Sequence, residues 1–165
     1  MTREEPNAKY PWLKGTELFQ HANGGGWVEK PDRIASTAYV SGLVFGNARV
    51  SGDARVSGNA QVFGNAMVSG NARVSGNAQV SGNARVSGNA QVSGNAQVSS
   101  QTLYTFGPIG SREGYTSYAA ESDTIMCGCF FGTMAEFENA VEKTHGQTAH
   151  GDNYRALIAM LKSLK

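Results

Sequence analysis

Between residues 44 and 98 the apolar positions keep one unbroken beat. Valine recurs at 44, 50, 56, 62, 68, 74, 80, 86, 92 and 98, and alanine at 48, 54, 60, 66, 72, 78, 84, 90 and 96. Within each Ala-x-Val the two apolar residues share a side and their polar flankers take the other, the period-two pattern of a half-buried strand. Gly-Asn, or Gly-Asp at 52–53, separates each Val-Ser or Val-Phe from the next Ala. It reads as a corner, because both residue types tolerate positive φ. Strands this short cannot return as an antiparallel meander. Repeated, they build a solenoid with three strands to the coil and parallel stacking of successive coils. A helix is excluded, since glycine at every sixth position costs about 1 kcal/mol each time.

Three corners per coil predict a second period of eighteen. Phe45 and Phe63, the two Phe of the array, stand that far apart, and so do Gln61, Gln79 and Gln97. The first wall then shows Leu43, Gln61, Gln79 and Gln97 beside Phe45, Phe63, Ser81 and Ser99. The second shows Arg49, Met67 and Arg85, and the third Arg55, Arg73 and Gln91. Like side chains stacked at the inter-strand spacing of about 4.8 Å form ladders, which suit Gln and Phe. Stacked Arg repel, and Met67 and Gln91 dilute that repulsion. Upstream, Val28, Ile34 and Val40 keep the six-residue step, but Val40 to Val44 is only four. A corner shortened by two residues carries the register across and sets Trp27 on the Phe45/Phe63 wall. Trp27, Leu43, Phe45 and Phe63 then form an apolar strip, exposed unless something covers it, and self-association through this strip is expected.

The ends differ from the array. Residues 1–27 hold Pro6, Pro11 and one apolar cluster from Tyr10 to Phe19, and read as an irregular cap over the first coil. Residues 28–100 are the solenoid of about four coils, and residues 101–165 a small α+β domain. "TLYTFGPIG" and "GYTSYAAESDTIMCGCFFG" read as strands around a glycine-rich turn. Thr133-Met-Ala-Glu136 is a capping box opening a helix to about His145, with Met134, Phe137, Ala140 and Val141 on one face. Gly151-Asp152 opens a second, with Tyr154, Leu157, Ile158, Leu161 and Leu164 as its apolar stripe. About 60 residues bury too little surface to stand alone securely, so this domain is expected to pack on the solenoid end or on a partner.

The "VSGNAR/VSGNAQ" run resembles the hexapeptide repeat of left-handed parallel β-helices, the fold of many bacterial acyltransferases. Opened by "GGGWV" and followed by "FGPIGSREG…CGCFFGT", it is similar to phage- and prophage-borne hexapeptide-repeat proteins. The resemblance implies a mainly β, left-handed, three-sided helix, assembly as a homo-oligomer with a trimer favoured, and a cytoplasmic location in an infected or lysogenic bacterial host. It also implies two roles. One is a non-catalytic binding protein countering host defence, by gripping a host protein or sequestering a small nucleotide signal. The other is a structural spacer of the particle or its assembly. Acyl transfer, the enzymatic alternative, needs a His base on the helix wall within reach of the acceptor. Residues 28–100 contain no His, and His21 falls in the cap. The expectation is therefore a protein that is not an enzyme and needs no cofactor.

Composition adds little and removes some classes. The net charge is +1, with the array at four Arg against Asp53 and residues 103–165 at five basic against seven acidic. Four Arg over two faces without interleaved aromatics do not make a nucleic-acid surface. No apolar run reaches the length of a membrane span, and "MTREEPNAKY" lacks the apolar stretch of a signal peptide. Two cysteines do not make a secreted disulfide framework. Cys127 and Cys129, read as lying on one side of a strand, could join His145 and His150 around zinc, although Cys-x-Cys departs from the usual spacing. The alternative is that they fill a strand face. Gly107-Pro-Ile-Gly110-Ser111-Arg112-Glu-Gly114 either marks a turn or cradles an anion, with Gly110, Ser111, Arg112 and the nearby Tyr115 as the ligand-binding set.

Overall fold

The computed structural model describes residues 6–99, 103–111 and 113–164. Each hexapeptide of the array contributes one two-residue strand. Leu43–Val44, Gln61–Val62, Gln79–Val80 and Gln97–Val98 stack in parallel on the first wall, next to Trp27–Val28. Arg49–Val50, Met67–Val68 and Arg85–Val86 make the second wall. Tyr39–Val40, Arg55–Val56, Arg73–Val74 and Gln91–Val92 make the third. Facing residues are eighteen apart, as in Gln61 with Gln79, Met67 with Arg85 and Arg73 with Gln91. The protein is a three-sided parallel β-solenoid of about four coils, with every side chain on the wall its period assigned. The short corner is real: Trp27 faces Leu43 and Tyr39 faces Arg55 at sixteen residues. Gly42 occupies it because a Cβ there would collide with the Ala60 carbonyl.

Valine and alanine line the axis. From Val40 to Val98 these residues are at most 2 % exposed. A buried valine contributes roughly 1.5–3 kcal/mol. At the corners only glycine takes positive φ. Among the described non-glycine residues that conformation is confined to Glu113 and Asp123. The asparagines therefore do not supply backbone freedom, as their place beside glycine suggested. They form ladders instead. Asn47 Nδ2 donates to Asn65 Oδ1 at 3.3 Å and Asn65 to Asn83 at 3.4 Å, and a second column runs from Asn59 through Asn77 to Asn95. Asp53 heads the third column and cannot donate, and the ladder there begins with Asn71 to Asn89.

The coil stack is polar along its axis. Backbone N–H groups donate forward to the next coil, as Arg73 N to Ala90 O, Gln79 N to Ala96 O and Ser81 N to Val98 O. The last coil thus ends in donors that need acceptors. The C-terminal domain supplies them from side chains. Gln91 N donates to Ser117 Oγ (3.2 Å), Ser93 N to Met126 Sδ (3.3 Å), Gln97 N to Ser122 Oγ (3.5 Å) and Ser99 N to Glu121 Oε2 (2.8 Å). The opposite end is closed by Phe19–Gln20, which runs antiparallel to Trp27–Val28.

The C-terminal domain is an antiparallel sheet of four strands, β1 (Leu103–Ile109), β2 (Gly114–Ala119), β3 (Thr124–Cys127) and β4 (Phe130–Thr133), in that order. Two helices follow, α1 (Met134–His145) and α2 (Ala149–Lys162). Thr133 and Glu136 form the expected capping box. The second helix starts two residues before the Gly-Asp pair, because the Thr148 hydroxyl accepts from Gly151 N and fixes the N-cap there. One face of the sheet packs Ala119 and Met126 into the solenoid core. The other sets Tyr118 and Ile125 against Met134, Phe137, Val141, Leu157 and Leu161. Both faces of β2 and β3 are covered, so their sequences lack simple alternation. Among the described residues no helix is long and apolar enough to cross a membrane.

Candidate functional site

A cleft of about 450 Å³ opens in the C-terminal domain. Four parts of the domain wall it. Ile109, Ser111 and Gly114 come from the β1–β2 loop, Cys127 to Phe130 from the β3–β4 hairpin, and Phe137, Ala140, Val141, Thr144 and His145 from α1. Tyr154 of α2 completes the lining.

Tyr154 is held from several sides. Its ring meets Phe137 edge-on at 5.7 Å between centroids and lies 5.3 Å from His145 at 31°. Thr116 Oγ1 donates to Cys127 Sγ at 3.0 Å, and Cys127 Sγ and Tyr154 Oη are in hydrogen-bond contact at 3.7 Å. Burial, and then the Cys127 contact, push the phenol up to about 12. It is a donor at any physiological pH. The glycine at 110, with φ +78, lets the loop close over this point, because a Cβ there would collide with the Tyr154 hydroxyl.

The expected loop residues divide. Gly110 abuts Tyr154, Ser111 lines the cleft, and Arg112 lies outside the described residues. Tyr115 does not line the cleft. It packs near Gly107, where a Cβ would stand 3.1 Å from Tyr115 Cδ1.

The zinc set does not assemble. Among the described residues no group of three or more His, Cys, Asp or Glu could hold a metal ion. Cys127 ends β3, but Cys129 sits in the two-residue turn of the hairpin after Gly128 (φ +60), and is exposed. The two cysteines therefore do not share a strand face, as a regular strand through both would require. His145 and His150 pack with their rings 6.2 Å apart.

The apolar wall is covered where exposure was expected. Leu43 is fully buried under Tyr10 and Leu13, with Leu18, Trp27 and Phe45 packed around them. The N-terminal segment folds over this part of the strip, so Leu43 cannot serve an intermolecular surface. Phe45 and Phe63 stack at 4.9 Å and 8° and remain half-buried. Arg55 and Arg73 are register neighbours on the third wall, exposed, near Tyr39 and Asp53. The ion pairs among the described residues lie elsewhere, Arg155 with Glu142 and Asp152, and Lys162 with Glu138. His21 is buried in the N-terminal segment, where its Nδ1 pairs with the Asn23 carbonyl at 3.0 Å.

The sequence reading placed Tyr154 only in an apolar stripe. Its signal was the hydroxyl, which a buried tyrosine has to place somewhere. A repeat model described as "YdcK Beta solenoid repeat" matches residues 44–58, 48–62, 60–76, 68–79 and 78–94. No curated protein and no solved structure matches the chain. The matched windows fall inside the valine array and end before the cleft-bearing domain, so the chain is a β-solenoid repeat protein with a separate C-terminal α+β domain.

Proposed function

We propose that this is a non-catalytic binding protein, in which the solenoid is a rigid mount and the C-terminal domain takes a small ligand in its cleft. The observation that carries this reading is the cleft itself, walled by loop, hairpin and helix, largely apolar, and supplied with a few convergent polar groups. The side-chain acceptors that close the donor end of the solenoid support it too, because they fix the domain's sheet to the last coil. The similarity to phage-borne repeat proteins makes small nucleotide signals one class to try.

The test is a titration of the full-length protein, followed by ¹H–¹⁵N correlation spectra. The ligands are cyclic nucleotides, neutral aromatic fragments and aromatic carboxylates. At least one class should move the amides of Ser111, Gly128 and Thr144 together. If none does, the small-ligand reading is wrong. Self-association belongs to the same proposal, favoured by the half-buried Phe45–Phe63 stack on the first wall.

A further inference from the structure

On the third wall the short corner brings together residues that the sequence keeps apart. Because Val40 to Val44 is two residues short, Tyr39 rather than Thr37 stands in register with Arg55, which in turn faces Arg73. The three side chains are exposed in one column. Neighbouring strands lie about 4.8 Å apart, so an aromatic ring and two guanidinium groups share about 10 Å of wall. They line a depression of about 460 Å³ together with Asp53 and Asn71 of the adjoining corner.

Two features of this depression point to a ligand. The first is charge. Among the described residues neither Arg55 nor Arg73 has an ion-pair or hydrogen-bond partner. On the second wall Met67 separates Arg49 from Arg85, whereas here the two charges are adjacent. Asp53 can balance one of them, which leaves a positive charge over. A phosphate monoester, doubly charged and rich in acceptors, fits two neighbouring guanidinium forks.

The second feature is the break in the asparagine ladder. Asn71 Nδ2 donates forward to Asn89 Oδ1. Its own Oδ1 is left for the coil before, where the other columns place a donating asparagine. Asp53 stands there instead, and a carboxylate has no hydrogen to give. Two acceptors therefore adjoin at the corner where Gly-Asp replaces Gly-Asn. Vicinal hydroxyls supply the two donors that such a pair takes. The corner is held in place, since Thr37 Oγ1 donates to the Gly52 carbonyl at 2.6 Å.

We propose that the third wall binds a ribonucleoside monophosphate, at a site separate from the C-terminal cleft. Arg55 and Arg73 take its phosphate, Asp53 and Asn71 accept from its sugar hydroxyls, and the Tyr39 ring stacks on its base.

The array supplies its own test substitutions, which leave the solenoid intact. Gln follows Arg73 in the column at 91, and Asn fills the place of Asp53 in the other corners of the array. Full-length wild type, Arg73→Gln and Asp53→Asn are titrated with AMP, 2′,3′-dideoxy-AMP and adenosine by calorimetry, and amide spectra locate the site. Wild type should bind AMP roughly tenfold more tightly than either analogue, moving the amides of Tyr39, Arg55 and Arg73. Arg73→Gln should weaken AMP about tenfold, the loss of one charged hydrogen-bonding partner. Asp53→Asn should bring AMP and its dideoxy analogue to equal affinity. The lost charge alone would not do that, because both carry the same phosphate. Equal binding of AMP and adenosine by wild type, no effect of Arg73→Gln, or a hydroxyl preference preserved in Asp53→Asn overturns the inference. So does AMP moving Ser111, Gly128 and Thr144 instead of the wall, a result that supports the cleft reading. Absence of AMP binding overturns it too, and leaves the cleft to its own panel. A ribo-oligonucleotide that binds more tightly than AMP assigns the column to a nucleic-acid chain and overturns it as well.

Discussion

Two corner glycines with nearly the same backbone give opposite surroundings to an added methyl group. Gly70 has φ +67 and Gly88 φ +63, and both stand in one corner column. A Cβ on Gly70 would lie 3.1 Å from Gly88 N and 3.2 Å from Gly88 O, because the next coil's corner is stacked directly upon it. A Cβ on Gly88 would meet nothing within 4 Å. Alanine at either position suffers the left-handed penalty of roughly 1–2 kcal/mol, partly offset by a less disordered unfolded chain. Only Gly70→Ala adds crowding against backbone that cannot rotate away, worth typically 1–3 kcal/mol. Gly88→Ala should therefore cost about 1 kcal/mol, and Gly70→Ala about 1–3 kcal/mol more. Urea unfolding of the two variants, followed by circular dichroism, reads the difference. With slopes of about 1–3 kcal/mol per molar urea, the midpoints should separate by roughly 1 M. Equal losses, or a larger loss at Gly88, would refute the stacking of corners eighteen residues apart.

Three further outcomes follow from the ends and the domain. Glu121→Ala removes the acceptor of Ser99 N and Oγ, so amide exchange at Ser99 should accelerate and stability fall by about 1 kcal/mol. Hydrogen exchange at the last coil is the check. The Thr133 amide and then the Thr133 hydroxyl hold the Glu136 carboxyl below its ordinary range. Its contribution is present above the unfolded glutamate value of about 4.3 and is lost as pH falls through the lower folded value. Glu136→Gln should flatten the acid limb of the stability profile in that window, measured by thermal melts between pH 5 and the acid limit. Phe63→Glu should lower the mass of the protein in size-exclusion with light scattering while leaving the β-sheet spectrum intact. An unchanged mass removes the Phe45–Phe63 wall as an interface.

The solenoid was legible because its determinants are local and repeated. Each Ala-x-Val fixes a strand face, and the spacing of Phe45 and Phe63 carries the coil length. The capping box at Thr133 was legible for the same reason, with its partners three residues apart. What escaped depended on convergence. Tyr154 is placed by Thr116 and Cys127, from two different strands, through the contact of the thiol with its hydroxyl. Nothing in an apolar helical stripe announces that. Leu43 looked exposed because its cover, Tyr10 and Leu13, lies thirty residues upstream in an irregular segment. Cys129 was placed on a strand because Cys-Gly-Cys continues an apolar run, whereas Gly128 turns the chain. The asparagine ladders needed the stacking itself, since a single Gly-Asn corner gives no hint of a partner eighteen residues on.

Disulfide trapping tests the coil of eighteen most directly. In a Cys127→Ser, Cys129→Ser background, cysteines replace Gln61 and Gln79, register partners on one wall. A second variant places them at Gln61 and Arg73, on different walls. Adjacent strands lie about 4.8 Å apart, inside the span of about 4.4–6.8 Å that a disulfide bridges. Mild oxidation should cross-link the 61/79 pair within one chain and leave the 61/73 pair reduced. Cross-linking of 61/73, or failure of 61/79, would contradict the three-sided stack on which the C-terminal domain and its cleft are mounted.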